Sequence, residues 1–401
     1  MIRSLKNPSF ALLWSGQTIS HLGDSFYTVA LALWVLEKTH SATAMGLVLV
    51  CSSVPMLLLL LFGGVFVDRL SRLRIMLSSD LLRAGIVGLV AALAASGRLE
   101  IWHVLVMSAS FGIVDAFFYP AYAAIVPDVV ESADLPSANS LRSISLQAAG
   151  IVGPAMAGWI VAQGGSGLAF GLDSLSFIIS AFCLIIIPQK SVMHKAASAE
   201  SSVLKDLGEG LQTVFQSPWL WITIAIAGIS NITLSGPFEA VLPLLVSQRF
   251  ASPAQTYGTL MALASFGALL AAIWIGRTKR LRHRGYLVYV PWLVASVMLV
   301  LIGLPLGLVG MGIAVCLWSG CVTALGLAWV NSLQELVPPE RLGRVVSIDV
   351  FGSFALLPVG YALAGLAADR WGTSTIFLLG GVLSAGVIAL GLLHPAIRHI
   401  D

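Results

Sequence analysis

Apolar runs of about 18 residues or more recur from one end of this chain to the other, and a run of that length crosses a bilayer as an α-helix. Windows bounded by charge, Gly or Pro give twelve candidate spans. The first six cover residues 10–36, 43–67, 75–96, 101–125, 139–163 and 168–188; the second six cover 219–247, 254–276, 286–304, 307–333, 344–368 and 373–394. Composition excludes a water-soluble globule. Of the 401 residues, 58% are hydrophobic and 10% charged, where ordinary soluble domains carry roughly 25% charged residues. The expected fold class is an all-α polytopic membrane protein, with twelve transmembrane helices in two six-helix bundles. Residues 1–188 and 219–401 form the bundles, and 189–218 form a cytoplasmic linker. Within the linker Val203, Leu204, Leu207, Leu211, Val214 and Phe215 recur at helical spacing, as in a short amphipathic helix lying on the membrane surface.

The charges set the orientation. Lys38, Arg98, Arg249 and Arg370 fall on one side, and the other 18 of the 22 basic residues fall on the opposite side, with both termini. By the positive-inside rule the second side is cytoplasmic, so a multi-pass protein of a bacterial-type inner (plasma) membrane is expected. The leader "MIRSLKNPSF" runs straight into apolar sequence without a small-residue cleavage site, so no cleavable signal peptide is expected. All four cysteines lie inside apolar runs, which argues against disulfides or a metal site. There is no H-E-x-x-H, G-x-S-x-G or phosphate-binding P-loop, so neither an enzyme nor a cofactor is expected, and ATP is not the direct energy source.

The chain repeats itself. "DRLSRLR" (Asp68 to Arg74) has a counterpart in "GRTKRLR" (Gly276 to Arg282), each after the second span of its half. Two halves related by a parallel repeat describe one large transporter architecture. "GVFVDRLSRLR" (Gly64 to Arg74) resembles the G-x-x-x-D-R-x-G-R-R-R signature of the major facilitator superfamily, with Ser71 in place of the second Gly. The resemblance implies a conformational latch on the cytoplasmic side made of Gly64, Asp68, Arg69, Arg72 and Arg74, with Asp68 facing the start of an opposing helix. A purely topological role would explain the arginines but neither Asp68 nor the Gly spacing. Phe117 to Gly158 and Asn331 to Gly372 resemble efflux members of that superfamily related to macrolide exporters and the enterobactin exporter. "GIVGPAMAG", with Gly150, Gly153, Pro154 and Gly158, is similar to the span 5 motif of its drug/proton antiporters, though incompletely. The basic residue that many such antiporters carry in span 4 is absent, and Asp115 stands in that span instead.

An ionisable group inside the bilayer costs at least a few kcal/mol and needs an explanation. Asp24 lies roughly 21 Å into span 1. Asp115 lies in the inner half of span 4, and Glu239 follows Gly236-Pro237, a candidate helix break in span 7. These three are the proton-coupling candidates, because a carboxyl taken out of water favours its neutral form and a gradient can then load and unload it. Each has a bland alternative. Asp24 could make a structural hydrogen bond, Asp115 could be neutralised by Arg142 or Arg83, and Glu239 could satisfy backbone groups freed by the break. Asp80 and Arg83, one turn apart, are expected to pair locally, and Asp349 to cap or pair near the latch. Phe26, Tyr27, Tyr119, Asn231 and Asn331 are candidates to line a cavity, with helix packing as the alternative.

The resemblance implies secondary active export of lipophilic or amphipathic small molecules, by proton antiport and alternating access. One alternative is a dedicated exporter of one siderophore or secondary metabolite. Another, from a different class, is a non-transporting membrane sensor or lipid-handling scaffold. The expected partners are a small-molecule substrate, protons and the lipid bilayer, with no nucleic acid, around a monomeric chain.

Overall fold

The computed structural model describes residues 3–131, 134–188, 203–278, 283–398 and 400, with residues 60–69, 203–207 and 339–340 described by their backbone. Among the described residues there are helices and no strands. In chain order they are α1 (Pro8–Thr39), α2 (Ala42–Arg69), α3 (Arg72–Ala95), α4 (Ile101–Ala124), the single turn α5 (Val126–Val129), α6 (Leu135–Ile186), α7 (Val203–Gln216) and α8 (Pro218–Ser230). Two π-helical segments, Asn231–Ser235 and Pro237–Val241, lead into α9 (Leu242–Arg249). Then come α10 (Pro253–Arg277), α11 (Arg284–Gly303), α12 (Leu308–Leu336), α13 (Pro339–Phe354), α14 (Leu357–Trp371), α15 (Thr373–Leu393) and α16 (Pro395–Arg398).

Local chemistry sets the helix ends. Asn7 caps α1 by accepting from the N–H groups of Ser9 and Phe10, with Pro8 pre-set for the first turn. Glu100 and His103 close a reciprocal cap at the start of α4. Eleven described helical stretches are long and apolar enough to cross a membrane. One of them, the 52-residue α6, holds two of the expected spans, joined at Gly165. There φ is 73° and ψ 173°, a conformation open essentially to glycine alone.

Two expectations need correction. Span 7 has no break at Gly236-Pro237. The chain stays helical through two π turns, and the Gly236 N–H reaches back to the Asn231 carbonyl. Span 11, read as one helix, is two: α13 ends at Phe354 and α14 starts at Leu357. Pro358 cannot donate to the preceding turn, so the ladder stops just before it.

The chain forms two compact units. The first comprises Met1–His40, Val48–Ser198 and Phe250–Ala262. In it α1 and α3 pack along α6, and α4 packs on α3. Toward one end lies a core that includes Phe10, Leu13, Met76, Phe118, Ile125 and Leu184. The second comprises Ser41–Leu47, Ala199–Arg249 and Leu263–Asp401, with α11 packed on α12 and α15. Glycines let backbones meet in both. A Cβ on Gly112 would lie 1.9 Å from the Ser52 carbonyl oxygen, and one on Gly267 would lie 2.0 Å from that of Cys316. Outward-facing Phe182, Val309 and Leu390 are exposed, as lipid tails allow.

The linker helix lies against protein as well as presenting apolar surface. Val214 of α7 is buried with Leu220, Ile224, Leu333 and Val345, and Glu209 pairs with Arg344 of α13. Leu211 and Phe215 are exposed.

Candidate functional site

In the first unit three polar stripes meet. Gln17, His21 and Asp24 recur every three or four residues along α1, so they share a face. Asp80 and Arg83 lie one turn apart on α3, and Asp173, Ser176 and Ser180 share a face of α6. Asp115 and Tyr119 come from α4.

Arg83, 4% exposed, pairs with Asp115 and lies 4.1 Å from the Phe118 ring centre, with Phe111 and Phe177 also around it. The local Asp80–Arg83 pair expected from spacing is therefore corrected. The long guanidinium arm reaches across to α4, and Asp80 instead accepts from Ser180 Oγ at 2.7 Å and Gln17 Nε2 at 3.5 Å. Of the two cations considered for Asp115, Arg83 is the partner, while Arg142 stacks 4.1 Å over the Tyr122 ring.

Asp24 stands apart from this pair. Its side chain is 43% exposed, and His21 Nδ1 lies 3.4 Å away. His21 also meets the Tyr122 hydroxyl, at 3.3 Å. Tyr27 stacks on Phe111 with ring centres 5.0 Å apart, which is helix packing. Tyr119 is 48% exposed, and Phe26 is half-buried.

In the second unit Glu239 lies within the second π segment and is exposed, and the Tyr361 hydroxyl of α14 donates to it. Close backbone approach makes that contact possible: a Cβ on Gly236 would lie 2.7 Å from the Gly360 carbonyl oxygen, and Gly360 is the residue before Tyr361. Among the described residues no Lys or Arg pairs with Glu239. Asn231 is tied to packing, with Nδ2 donating to the Ser353 carbonyl at 2.6 Å. Asn331 is half-buried. Asp349 accepts from Trp329 Nε1 at 3.0 Å and Ser353 Oγ at 3.4 Å, partners on α12 and α13.

For the latch, the side chains of Gly64, Asp68 and Arg69 lie outside the described residues, as do Arg280 and Arg282 of its repeat. Arg72 is described. Its Nη1 lies 2.8 Å from both oxygens of Asp128 on α5 and 2.9 Å from the Ala124 carbonyl, while Arg74 is exposed. In the span 5 motif, a Cβ on Gly153 would meet Ser25 at 2.5 Å. One on Gly158 would meet the Ala254 carbonyl oxygen at 2.6 Å, and one on Gly258 the carbonyl oxygen of Pro154 at 2.4 Å. These glycines make the crossings of α6 with α1 and with the start of α10. Gly150 lies on the same helix, half-buried.

Sequence reading missed four polar residues. Asp173 is 0% exposed and carries the same signal that flagged Asp24, an acid inside an apolar run. Tyr361 and Asp128 are visible only as partners. Asp369 repeats a spacing already noted, because Gly365-Leu-Ala-Ala-Asp369-Arg370 matches Gly64-Val-Phe-Val-Asp68-Arg69. Its carboxylate accepts from Ser41 Oγ at 2.6 Å, Ala42 N at 2.8 Å and Thr43 N at 3.0 Å, capping α2 inside the second unit.

Known proteins resemble this chain over nearly its full length. The model of a family described as transmembrane secretion effector matches residues 2–393. The macrolide efflux protein A of Streptococcus pyogenes is 27% identical, over 98% of this chain and 96% of its own length. The multidrug efflux pump Tap of Mycolicibacterium fortuitum is 29% identical over 100% and 99%. The enterobactin exporter EntS of Escherichia coli O9:H4 (strain HS) is 25% identical over 98% and 93%. In fold, a point mutant of the nucleoside transporter NupG superposes with a TM-score of 0.77 at 11% identity, over 96% of this chain and 100% of its own. A bacterial homologue of the iron transporter ferroportin gives 0.72 at 15%, over 96% and 99%.

Proposed function

We propose, for a chain that belongs to the transmembrane secretion effector family of the major facilitator superfamily, that it exports cationic or amphipathic small molecules in exchange for protons. It is a multi-pass membrane efflux transporter and not an enzyme. In our reading its two six-helix bundles alternate access to the two sides of an inner membrane, with both termini cytoplasmic. Asp24 and Glu239 take up and release the protons.

The observation that carries this reading is the state of Glu239. A carboxyl group sits within the span on a π-helical segment, exposed, with a tyrosine hydroxyl and, among the described residues, no cation for company. π turns recur at functional sites, and an unpaired acid in a membrane helix is expensive unless it serves transport. Asp24 is likewise accessible, beside a histidine. Asp115 is spoken for by Arg83 and is the weaker coupling candidate.

Both accessible acids favour a positively charged or neutral cargo. Relatives named for macrolide and multidrug efflux agree with that, whereas the enterobactin exporter and a staphyloferrin A transporter of Staphylococcus aureus support the second reading, a single siderophore. The buried Arg83 is already paired, which leaves it poorly suited to a multiply charged anion.

The test is transport in proteoliposomes under an imposed pH gradient, with fluorescent lipophilic cations, macrolides and a catecholate siderophore. Export that follows the gradient, and that falls at least tenfold in both Asp24→Asn and Glu239→Gln, is the expected result. Export indifferent to gradient and to both substitutions refutes proton antiport, and movement of the siderophore alone selects the second reading.

A further inference from the structure

Asp173 stands on the second limb of α6, eight residues past Gly165, which is about 12 Å along the axis. That depth is well inside a hydrocarbon layer about 30 Å thick. The residue is 0% exposed. Ser176 Oγ lies 3.4 Å from Oδ1, but the hydroxyl has one hydrogen, and the Asp173 backbone carbonyl takes it at 2.7 Å. Among the described residues Oδ2 has no hydrogen-bond partner. An ionised Asp173 would be an anion removed from water without a full hydrogen bond on either oxygen, a state that proteins avoid by neutralising the group.

Its neighbours have more donors. Asp115 has the guanidinium of Arg83, and Asp80 has a hydroxyl at 2.7 Å and an amide at 3.5 Å on Oδ2, although its Oδ1 has no partner among the described residues. The charged and titratable groups that act on Asp173 are Asp24 and Tyr27 from α1 and Arg83 from α3, and Arg83 in turn faces Asp80 on its own helix and Asp115 from α4. One cation faces four carboxyl groups, and it is engaged with Asp115. A neutral acid fits the geometry, because Ser176 Oγ, having given its hydrogen to the carbonyl, has lone pairs free for an acid O–H on Oδ1. The acid also lies against bare backbone: a Cβ on Gly23 would fall 2.6 Å from Asp173 Oδ1 and 2.1 Å from Ser176 Oγ. Gly23 adjoins Asp24, the accessible acid of the same helix.

We propose that Asp173 is a proton-binding site of the first unit, seated against Gly23 of α1 and holding its proton in this conformation. Its use in transport rests on the proton-coupled reading above, and its existence does not.

Infrared spectroscopy of the full chain in lipid at neutral pH tests the site without a substrate, through the carbonyl stretch that a protonated carboxyl shows and a carboxylate lacks. Asp173→Asn is expected to remove a band that Asp80→Asn and Asp115→Asn retain. A spectrum of Asp173→Asn with the full intensity of the parent overturns the proposal. Should that variant fail to fold, Ser176→Ala serves instead. It removes the acceptor of the acid O–H, so the band must move to higher frequency, and an unmoved band is equally fatal. Gradient-driven export by the parent is measured beside it. A band lost in Asp173→Asn with no gradient response in the parent leaves the site standing and removes proton antiport. A gradient response with the band intact does the reverse.

Discussion

Replacing Arg83 by Met isolates the energetics of the polar layer in the first unit. The guanidinium is 5% exposed and its partner carboxyl 21% exposed, so solvent screens the pair weakly. Removing one member of such a pair strands the other charge and costs about 3–5 kcal/mol. Loss of the contact with the Phe118 ring, 4.1 Å from the guanidinium carbon, adds about 1 kcal/mol. Arg83→Met is therefore expected to lose about 4–6 kcal/mol, roughly three to four decades in the unfolding constant. Asp115→Leu strands the arginine and loses about 3 kcal/mol. The double variant strands nothing and should lie within about 2 kcal/mol of the parent, because apolar replacement of both partners is close to neutral. Equilibrium unfolding of the four proteins in mixed lipid–detergent micelles gives the coupling energy directly. If the two single losses simply add in the double variant, to within about 0.5 kcal/mol, the groups are independent and the pairing argument is wrong.

Three further outcomes follow from other contacts. Gly258→Val places side-chain atoms where a Cβ alone would stand 2.4 Å from the Pro154 carbonyl oxygen; it should destabilise by about 1–3 kcal/mol, read as a lower melting temperature. Asp369→Ala removes the cap on α2, at a loss of about 1 kcal/mol for an exposed position. Amide exchange at Ala42 and Thr43 should rise, while Asp369→Asn keeps most of the protection. Arg72→Ala leaves Asp128, whose side chain is 6% exposed, without its cation; a loss of about 2 kcal/mol is expected, with faster proteolysis between α4 and α6. Unchanged stability would show that Asp128 is held by something else.

The apolar runs made the helices legible, since a span must satisfy its own backbone. The joint at Gly165 fell between two of the expected spans for the same reason. Local geometry was harder to read. Gly236-Pro237 looked like a break because proline removes a donor, yet the widened π turn absorbs the loss within a continuous helix. In span 11 the opposite happened near Pro358. Among site residues, the rule that membrane acids need explanation singled out Asp24, Asp115 and Glu239, and it applied equally to the overlooked Asp173. Partners were the least legible part. Arg83 is one turn from Asp80 in sequence, but which carboxyl it meets depends on how α3 lies beside α4. Tyr361 reaches Glu239 across a glycine crossing that no single-helix pattern displays.

The paired π turns between Asn231 and Val241 have a consequence for how this stretch tolerates change in length. Each wide turn holds one residue more than an α turn, and one residue corresponds to about 100° of rotation about the axis. Deleting a single residue such as Thr233 would let the first wide turn close into ordinary α geometry, and because that turn had absorbed the extra residue, Glu239 beyond it would keep its aim at Tyr361. An in-frame one-codon deletion here should thus be tolerated, whereas the same deletion in a regular α-helix would turn every later side chain by that angle and scramble its packing.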